Sequence, residues 1–211
     1  MEDGPMRYDD VLDRLRTAYD GGAAERDQRA KDAWRLAERE AFLARLREHG
    51  ATRLLEIGAG TGQDSAYFQQ NGLTVVATDL SPAMVARCRA KGLDARVADF
   101  LSLDVAPGSF DAVYAVNCLL HVPDADLPAV LGIVRDALRP GGLFYLGVWG
   151  GADWEGSHEH DHHDPPRYFR FRSDERLQRY AGELFDVVDF HTVPVGEHRF
   201  QALTLVIKAS L

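Results

Sequence analysis

The stretch Leu54-Leu55-Glu56-Ile57-Gly58-Ala59-Gly60-Thr61-Gly62-Gln63-Asp64 concentrates the residue types a cofactor site needs. An apolar run ends in a carboxylate, glycines follow at alternate positions, and a helix begins. Glycine admits positive φ and lets a ligand approach the backbone. The helix start offers unpaired N–H groups. Such a turn at the carboxyl end of a strand is a cradle for a polar cofactor. Two more carboxylates, Asp79 and Asp99, each follow a predicted strand. The tract His158-Glu159-His160-Asp161-His162-His163-Asp164 carries imidazoles and carboxylates of the kind that bind divalent ions. Its alternate spacing on a polar segment builds no preformed geometry, so no metal is expected there.

The elements that must hold these residues alternate strand and helix, the pattern of a parallel α/β sheet. Strands are predicted over 53–57, 74–78, 95–98, 110–116 and 143–149. Helices are predicted over 64–71, from Ser81-Pro82 to Lys91, and over 125–138. Serine as N-cap with proline in the first turn marks the second of these starts. Residues 1–50 read as a helical arm: one helix over 8–18, a break at Gly21-Gly22, and a charged, alanine-rich helix over 23–49. Tyr19 and Trp34 are the arm residues that either line a pocket or pack on the core. After Gly150-Gly151 the pattern stops, and a loop this long in a compact domain is functional or mobile. A last helix starts at Ser173-Asp174-Glu175, and two closing strands cover 185–192 and 200–208. The expected division is an arm over 1–50 and one domain over 51–211, with a lid-like insertion at about 150–172.

Bulk properties narrow the function classes. The 211 residues suffice for one full core, and 45% hydrophobic with 27% charged residues is ordinary for a soluble domain. A net charge of −9 argues against general affinity for nucleic-acid phosphates or an anionic membrane. No apolar run reaches the ~18 residues of a membrane span. The start, Met1-Glu2-Asp3-Gly4-Pro5, lacks the basic and apolar regions of a signal peptide. Cys88 and Cys118 are expected as reduced thiols, which with the rest suggests a cytoplasmic protein.

The glycine spacing separates two cofactor readings. A dinucleotide fingerprint wants G-x-G-x-x-G, but Gln63 stands where its third glycine belongs. Glu56-Ile57-Gly58-Ala59-Gly60-Thr61-Gly62 instead resembles motif I of the class I S-adenosylmethionine-dependent methyltransferases, E/D-x-G-x-G-x-G. Leu138-Arg139-Pro140-Gly141-Gly142-Leu143 resembles the turn before the fifth strand in that family. The resemblance covers 54–149, and the chain looks like a small stand-alone methyltransferase domain. It implies a seven-stranded, mostly parallel, doubly wound Rossmann-like sheet with the last strand antiparallel and an N-terminal helical cap.

It also implies S-adenosylmethionine as cofactor and S-adenosylhomocysteine as product. The residues it points to are Glu56, Gly58, Ala59, Gly60 and Gly62 at the turn, and Asp79 for the ribose hydroxyls. Asp99 would meet the adenine amino group, Leu80, Met84 and Phe100 the ring, and Asn117 the methionine part. Transfer to a small molecule is expected, at oxygen or nitrogen ahead of carbon. The tetrapeptide Asn/Asp-Pro-Pro-Tyr/Phe is missing after the fourth strand, where Asn117-Cys118-Leu119-Leu120 stands, which speaks against nucleic-acid N-methylation. A hydroxyl or ammonium acceptor must lose a proton, and His121 is the candidate base. Its alternative is a structural histidine holding the loop before Pro123. Tyr19, Trp34, Trp149, Arg167 and Phe169 are further candidates to meet the acceptor. A protein that binds the cofactor without turnover is the second reading. The oligomeric state, monomer or homodimer, stays open.

Overall fold

A computed structural model describes residues 7–158 and 161–208. A seven-stranded sheet carries the chain, with strand order β3-β2-β1-β4-β5-β9-β8. In chain order these are β1 Arg53–Ile57, β2 Thr74–Asp79, β3 Asp94–Val97, β4 Phe110–Val116, β5 Leu138–Gly150, β8 Phe185–Val195 and β9 His198–Ile207. β1 pairs in parallel with β2 and β4, setting Leu55 opposite both Val76 and Val113. β9 runs antiparallel to both neighbours, β5 and β8, so the last strand alone is reversed. The expected Rossmann-like architecture is therefore present.

The central strands read as apolar runs because both of their faces are covered. Successive side chains alternate between two cores. Leu55, Ile57, Val113 and Ala115 face α1 (Tyr8–Gln28), α5 (Leu127–Ala137) and α6 (Asp174–Leu184). Leu54, Ala112 and Tyr114 face α2 (Ala33–Glu48) and α3 (Gln63–Gln70). α4 (Pro82–Ala90) begins on a serine cap, the Ser81 hydroxyl accepting from the Met84 N–H at 3.1 Å.

The arm differs from expectation. α1 runs unbroken through Gly21-Gly22, and the interruption falls at 29–32. Two helical glycines cost roughly 1 kcal/mol each against alanine. Tertiary contacts offset this cost along α1. The Tyr8 N–H donates to Asp126 at 2.7 Å, and Asp20 accepts from the Ala83 N–H at 3.1 Å. Asp27 pairs with Lys91. Because α1 and α2 belong to opposite faces of the sheet, the 29–32 linker crosses the carboxyl ends of the strands. There Gln63 Nε2 donates to the carbonyls of Asp27 and Arg29, both at 3.2 Å.

The segment after β5 is also more ordered than its composition suggests. β6 (Trp154–Gly156) and β7 (Phe169–Phe171) form a two-stranded ladder, closed by Trp154 stacked on His158 at 4.3 Å and 12°. No helix among the described residues is long and apolar enough to cross a membrane.

Candidate active site

In the order 3-2-1-4-5 the chain reverses direction between β1 and β4, which opens a crevice at their carboxyl ends. The Gly58–Gly62 turn leaves β1 there, and Asn117 to His121 leave β4. All three glycines take positive φ, at 66°, 57° and 78°. Their reasons differ. A side chain at Gly58 would collide with Cys118, and one at Gly62 would lie 2.6 Å from Leu93 and 2.8 Å from the Cys88 sulfur. Only Gly60 faces open space, with the Arg26 guanidinium 3.5 Å from where its Cβ would be.

Two cavities meet over this turn. The larger, about 330 Å³, lies between the turn and residues 26–35, the 29–32 linker with the helix ends beside it, and includes Glu56, Asn117 and Trp149 in its wall. The smaller, about 50 Å³, extends toward Asp79, Leu80 and Phe100, with Tyr19 and His121 beside it. Arg26, Gly58, Gly60 and Asn117 border both.

Each end carries a carboxylate. Asp79 bridges the structure, accepting from the Gly60 N–H at 2.8 Å and the Ser81 N–H at 2.9 Å. Burial pushes its carboxyl up to about 6 in spite of these two bonds. Glu56 lies under the turn and accepts from the Ser65 hydroxyl. Burial, with the Asp64 charge behind it, pushes Glu56 up to about 8. Between them Asn117 holds φ at 54°, rare for a residue with a side chain, and its buried Oδ1 finds no partner among the described residues. A polar atom so placed costs free energy unless a ligand meets it.

His121 is deep in the wall, 4% exposed. Its Nδ1 lies 2.6 Å from the Tyr168 carbonyl, which can only accept, so Nδ1 carries the proton. Nε2 is then the acceptor for the Tyr19 hydroxyl, 2.6 Å away. Burial holds the imidazole down at about 3 and hence neutral. Arg167 NH1 reaches the same hydroxyl at 3.3 Å.

Several candidates lie elsewhere than expected. Met84 is fully buried and lines neither cavity, because it sits one turn inside α4. Asp99 folds back onto its own turn, accepting from the Leu101 N–H at 2.8 Å and from the Ser102 hydroxyl. The face of Phe100 is covered by Tyr8, stacked at 5.6 Å and 18°. Trp34 packs on Trp149 and Phe200 instead of lining the cleft. Arg167 forks onto Asp161 at 2.9 and 3.0 Å, which occupies its guanidinium. Phe169 packs against His121 with ring centres 4.9 Å apart. Of the histidine-rich tract, Glu159 and His160 lie outside the described residues. No metal-binding cluster occurs among the described residues.

Residues absent from the sequence reading also border the cleft. Arg26, Arg29, Lys31 and Arg35 face it from the linker and its flanking helices. No motif marks them, since a charged helical arm reads as a solvated face; only the crossing of the linker brings them over the turn.

Comparison with known proteins agrees with this geometry. Residues 54–142 match the methyltransferase domain family. Methyltransferase GfsG of Streptomyces halstedii is 32% identical over 112 residues, covering 49% of this chain and 40% of that protein. The ubiquinone biosynthesis O-methyltransferase of Xanthomonas campestris pv. campestris is 36% identical over 110 residues, 49% of this chain and 45% of that protein. The chain thus spans less than half the length of these relatives. In overall fold it is similar to the 1,6-didemethyltoxoflavin-N1-methyltransferase of Burkholderia thailandensis, solved with 1,6-didemethyltoxoflavin and S-adenosylhomocysteine bound. That likeness has a TM-score of 0.72 at 24% identity and covers 98% of this chain and 93% of the other. The magnesium protoporphyrin IX methyltransferase of Synechocystis is similar too, with a TM-score of 0.70 at 14% identity over 93% and 99%. Motif, sheet order and sequence relatives agree: residues 54–142 match the methyltransferase domain family, on a Rossmann-like sheet similar to that of S-adenosylmethionine-dependent methyltransferases.

Proposed function

We propose that the protein transfers a methyl group from S-adenosylmethionine to an oxygen or nitrogen atom of a small molecule held in the larger cavity. The observation that carries this reading is the juxtaposition at one sheet edge of Glu56, the open face of Gly60, the unpartnered Asn117 oxygen and Asp79. Asp79 would hold the ribose hydroxyls, with Leu80 and Phe100 beside the adenine. Glu56 would hold the methionine ammonium, Arg26 the methionine carboxylate, and Asn117 the chain between. The bound cofactor supplies an electrophilic methyl on a sulfonium leaving group. The protein's own part is to orient the acceptor along that axis and to exclude water.

His121 serves this through Tyr19. With Nδ1 held by Tyr168 and Nε2 by the Tyr19 hydroxyl, the imidazole fixes Tyr19 in the wall of the smaller cavity, which Asn117 and Gly58 also line. Tyr8 stacks on Phe100, so for the adenine to meet that ring face the start of α1 would have to move aside. On this reading residues 1–50 are a cap over the domain at 51–211, and the 150–172 insertion is a lid whose Tyr168 carbonyl sets the His121 tautomer. A cavity of this size, with a chain charge of −9, favours a small molecule over nucleic acid.

Calorimetry on the full chain tests the cofactor half directly. S-adenosylhomocysteine is expected to bind in the micromolar range and NAD not to bind; the reverse result removes the reading. A second reading, cofactor binding without turnover, draws on one observation: neither ring nitrogen of His121 is free to take a proton. Methylation of any acceptor by the purified protein eliminates it.

Glu56 makes a pH prediction. Free, its carboxyl titrates at about 8, and an ammonium beside it favours the charged form. The bound state therefore holds fewer protons near pH 7. Binding should release up to about one proton, and affinity should rise as pH goes from about 6 to about 8. Asp79, at about 6, adds a rise in the same direction at lower pH. Titrations in two buffers of different ionisation enthalpy measure the release, and Glu56→Gln should abolish it. An unchanged proton count would show that Glu56 does not meet the ammonium.

A further inference from the structure

The larger cavity is cationic in a protein that is acidic overall. Arg26, Arg29, Lys31 and Arg35 face it, against Asp32, Glu56 and Asp64. These groups do not cancel. Lys31 is taken by Asp64 at 2.7 Å, which also holds Arg39 at 3.0 Å. Among the described residues Arg35 pairs only with Asp32, at 3.8 Å, too far for a hydrogen bond. Its Nε is buried without a hydrogen-bond partner among the described residues, and desolvation lowers its pKa. Arg26 and Arg29, exposed at the mouth, make no ion pair among the described residues.

Arg35 is held where it is by aromatic faces. Its guanidinium lies 5.1 Å from the Trp34 ring centre and 5.9 Å from that of Trp149. Among the described residues its guanidinium makes no side-chain hydrogen bond, and such a planar N–H fork recognises carboxylate or phosphate in bidentate fashion. The cofactor does not remove the excess. With a sulfonium, an ammonium and one carboxylate it is itself a net cation, and its carboxylate answers one guanidinium only. That leaves Arg35 and Arg29 to receive a second anion.

Resting on the methyltransferase reading above, we propose that the methyl acceptor is an anion, its carboxylate or phosphate group seated on Arg35 with Arg29 at the mouth, and its body against Trp149. A low-dielectric wall around such a fork strengthens the attraction and discriminates against a neutral isostere, whose amide would leave the guanidinium unanswered.

The test uses the full chain saturated with S-adenosylhomocysteine, titrated by NMR with benzoate, phenyl phosphate and neutral benzamide. At least one of the anions should bind about tenfold tighter than benzamide, the scale of a charge-assisted fork. The tighter of the two identifies the group the acceptor carries. Arg35→Gln should erase the preference while S-adenosylhomocysteine affinity stays within about threefold; Arg35→Lys should keep part of it. A melting curve for each variant confirms that it is folded. Equal binding of all three probes to the native chain overturns the proposal. So does a preference that survives Arg35→Gln, or an Arg35→Gln loss confined to the cofactor, which would make Arg35 the cofactor's own carboxylate partner. If S-adenosylhomocysteine itself fails to bind, the cofactor reading and this inference fall together; if it binds without any anion preference, this inference falls alone.

Discussion

Replacing Asp79 with alanine is expected to weaken S-adenosylhomocysteine binding by about 100-fold or more. One carboxylate does two jobs at this position. Its oxygens already accept from the Gly60 and Ser81 N–H groups, at 2.8 and 2.9 Å, tying the glycine turn of β1 to the start of α4. Their remaining lone pairs are the ribose acceptors of the proposed site. A hydrogen bond to a charged group contributes roughly 1.5–3 kcal/mol, and two lost with a ribose exceed the 2.7 kcal/mol that corresponds to 100-fold. The free protein should suffer less, because the half-buried N–H groups left behind can find water. Asp79→Asn keeps one acceptor on the turn and should fall between the two. Calorimetry gives both affinities, and near-native binding by Asp79→Ala would mean that the sugar is held elsewhere.

The turn and its acidic partners were legible in the sequence because their reasons are local. Leu54, Leu55 and Ile57 form an apolar run since β1 is covered on both faces, and the chain must turn where Gly58 begins. Even so, the glycines carry a mixed message. Gly58 and Gly62 are required by Cys118, which follows β4, and by Cys88 of α4 and Leu93 just after it, and of the three only Gly60 faces the open cleft. What stayed hidden depends on contacts distant in sequence. Gly21-Gly22 reads as a break, yet Asp126, Ala83 and Lys91 hold α1 straight through it. Arg26, Arg29 and Arg35 look like solvent-facing charges until the linker carries them across the strand ends. Asp99 and Arg167 carry the right chemistry for a site. Their partners, the Ser102 hydroxyl and Leu101 N–H for Asp99 and Asp161 for Arg167, are set by loop geometry that spacing does not encode.

The second large effect is on stability and concerns a residue outside the cavities. Asp124 follows the β4 loop and gathers three guanidiniums: Arg170 at 2.7 Å, Arg172 at 2.8 Å and Arg176 at 3.1 Å. Arg172 is 3% exposed and Arg170 7%; removing Asp124 strands the buried Arg172 cation and leaves Arg170 only the longer ion pairs to Asp153 and Glu155, both at 3.7 Å. Breaking a buried pair from one side costs roughly 3–5 kcal/mol; Asp124 is itself partly exposed, so Asp124→Ala should cost about 3 kcal/mol. The pH dependence has a definite sign. Burial pushes the Asp124 carboxyl up, but its bonds to Arg170 and the charges of Arg172 and Arg170 outweigh this and hold it below the usual range. Its contribution is therefore complete above the carboxyl's unfolded pKa, about 3.9, and is lost as pH falls through the lower folded value. Denaturant melts of native protein and Asp124→Ala should differ most near neutral pH and converge in acid; a constant gap would show that packing alone accounts for the loss. The site should feel the same change. Arg172 also donates to the Val122 carbonyl at 2.6 Å, directly after His121. β7, which carries Arg170, follows on from Tyr168, whose carbonyl fixes the imidazole. Loosening Asp124 thus loosens the loop on either side of His121 and, through its Nε2, the hydroxyl of Tyr19, a residue that lines the smaller cavity.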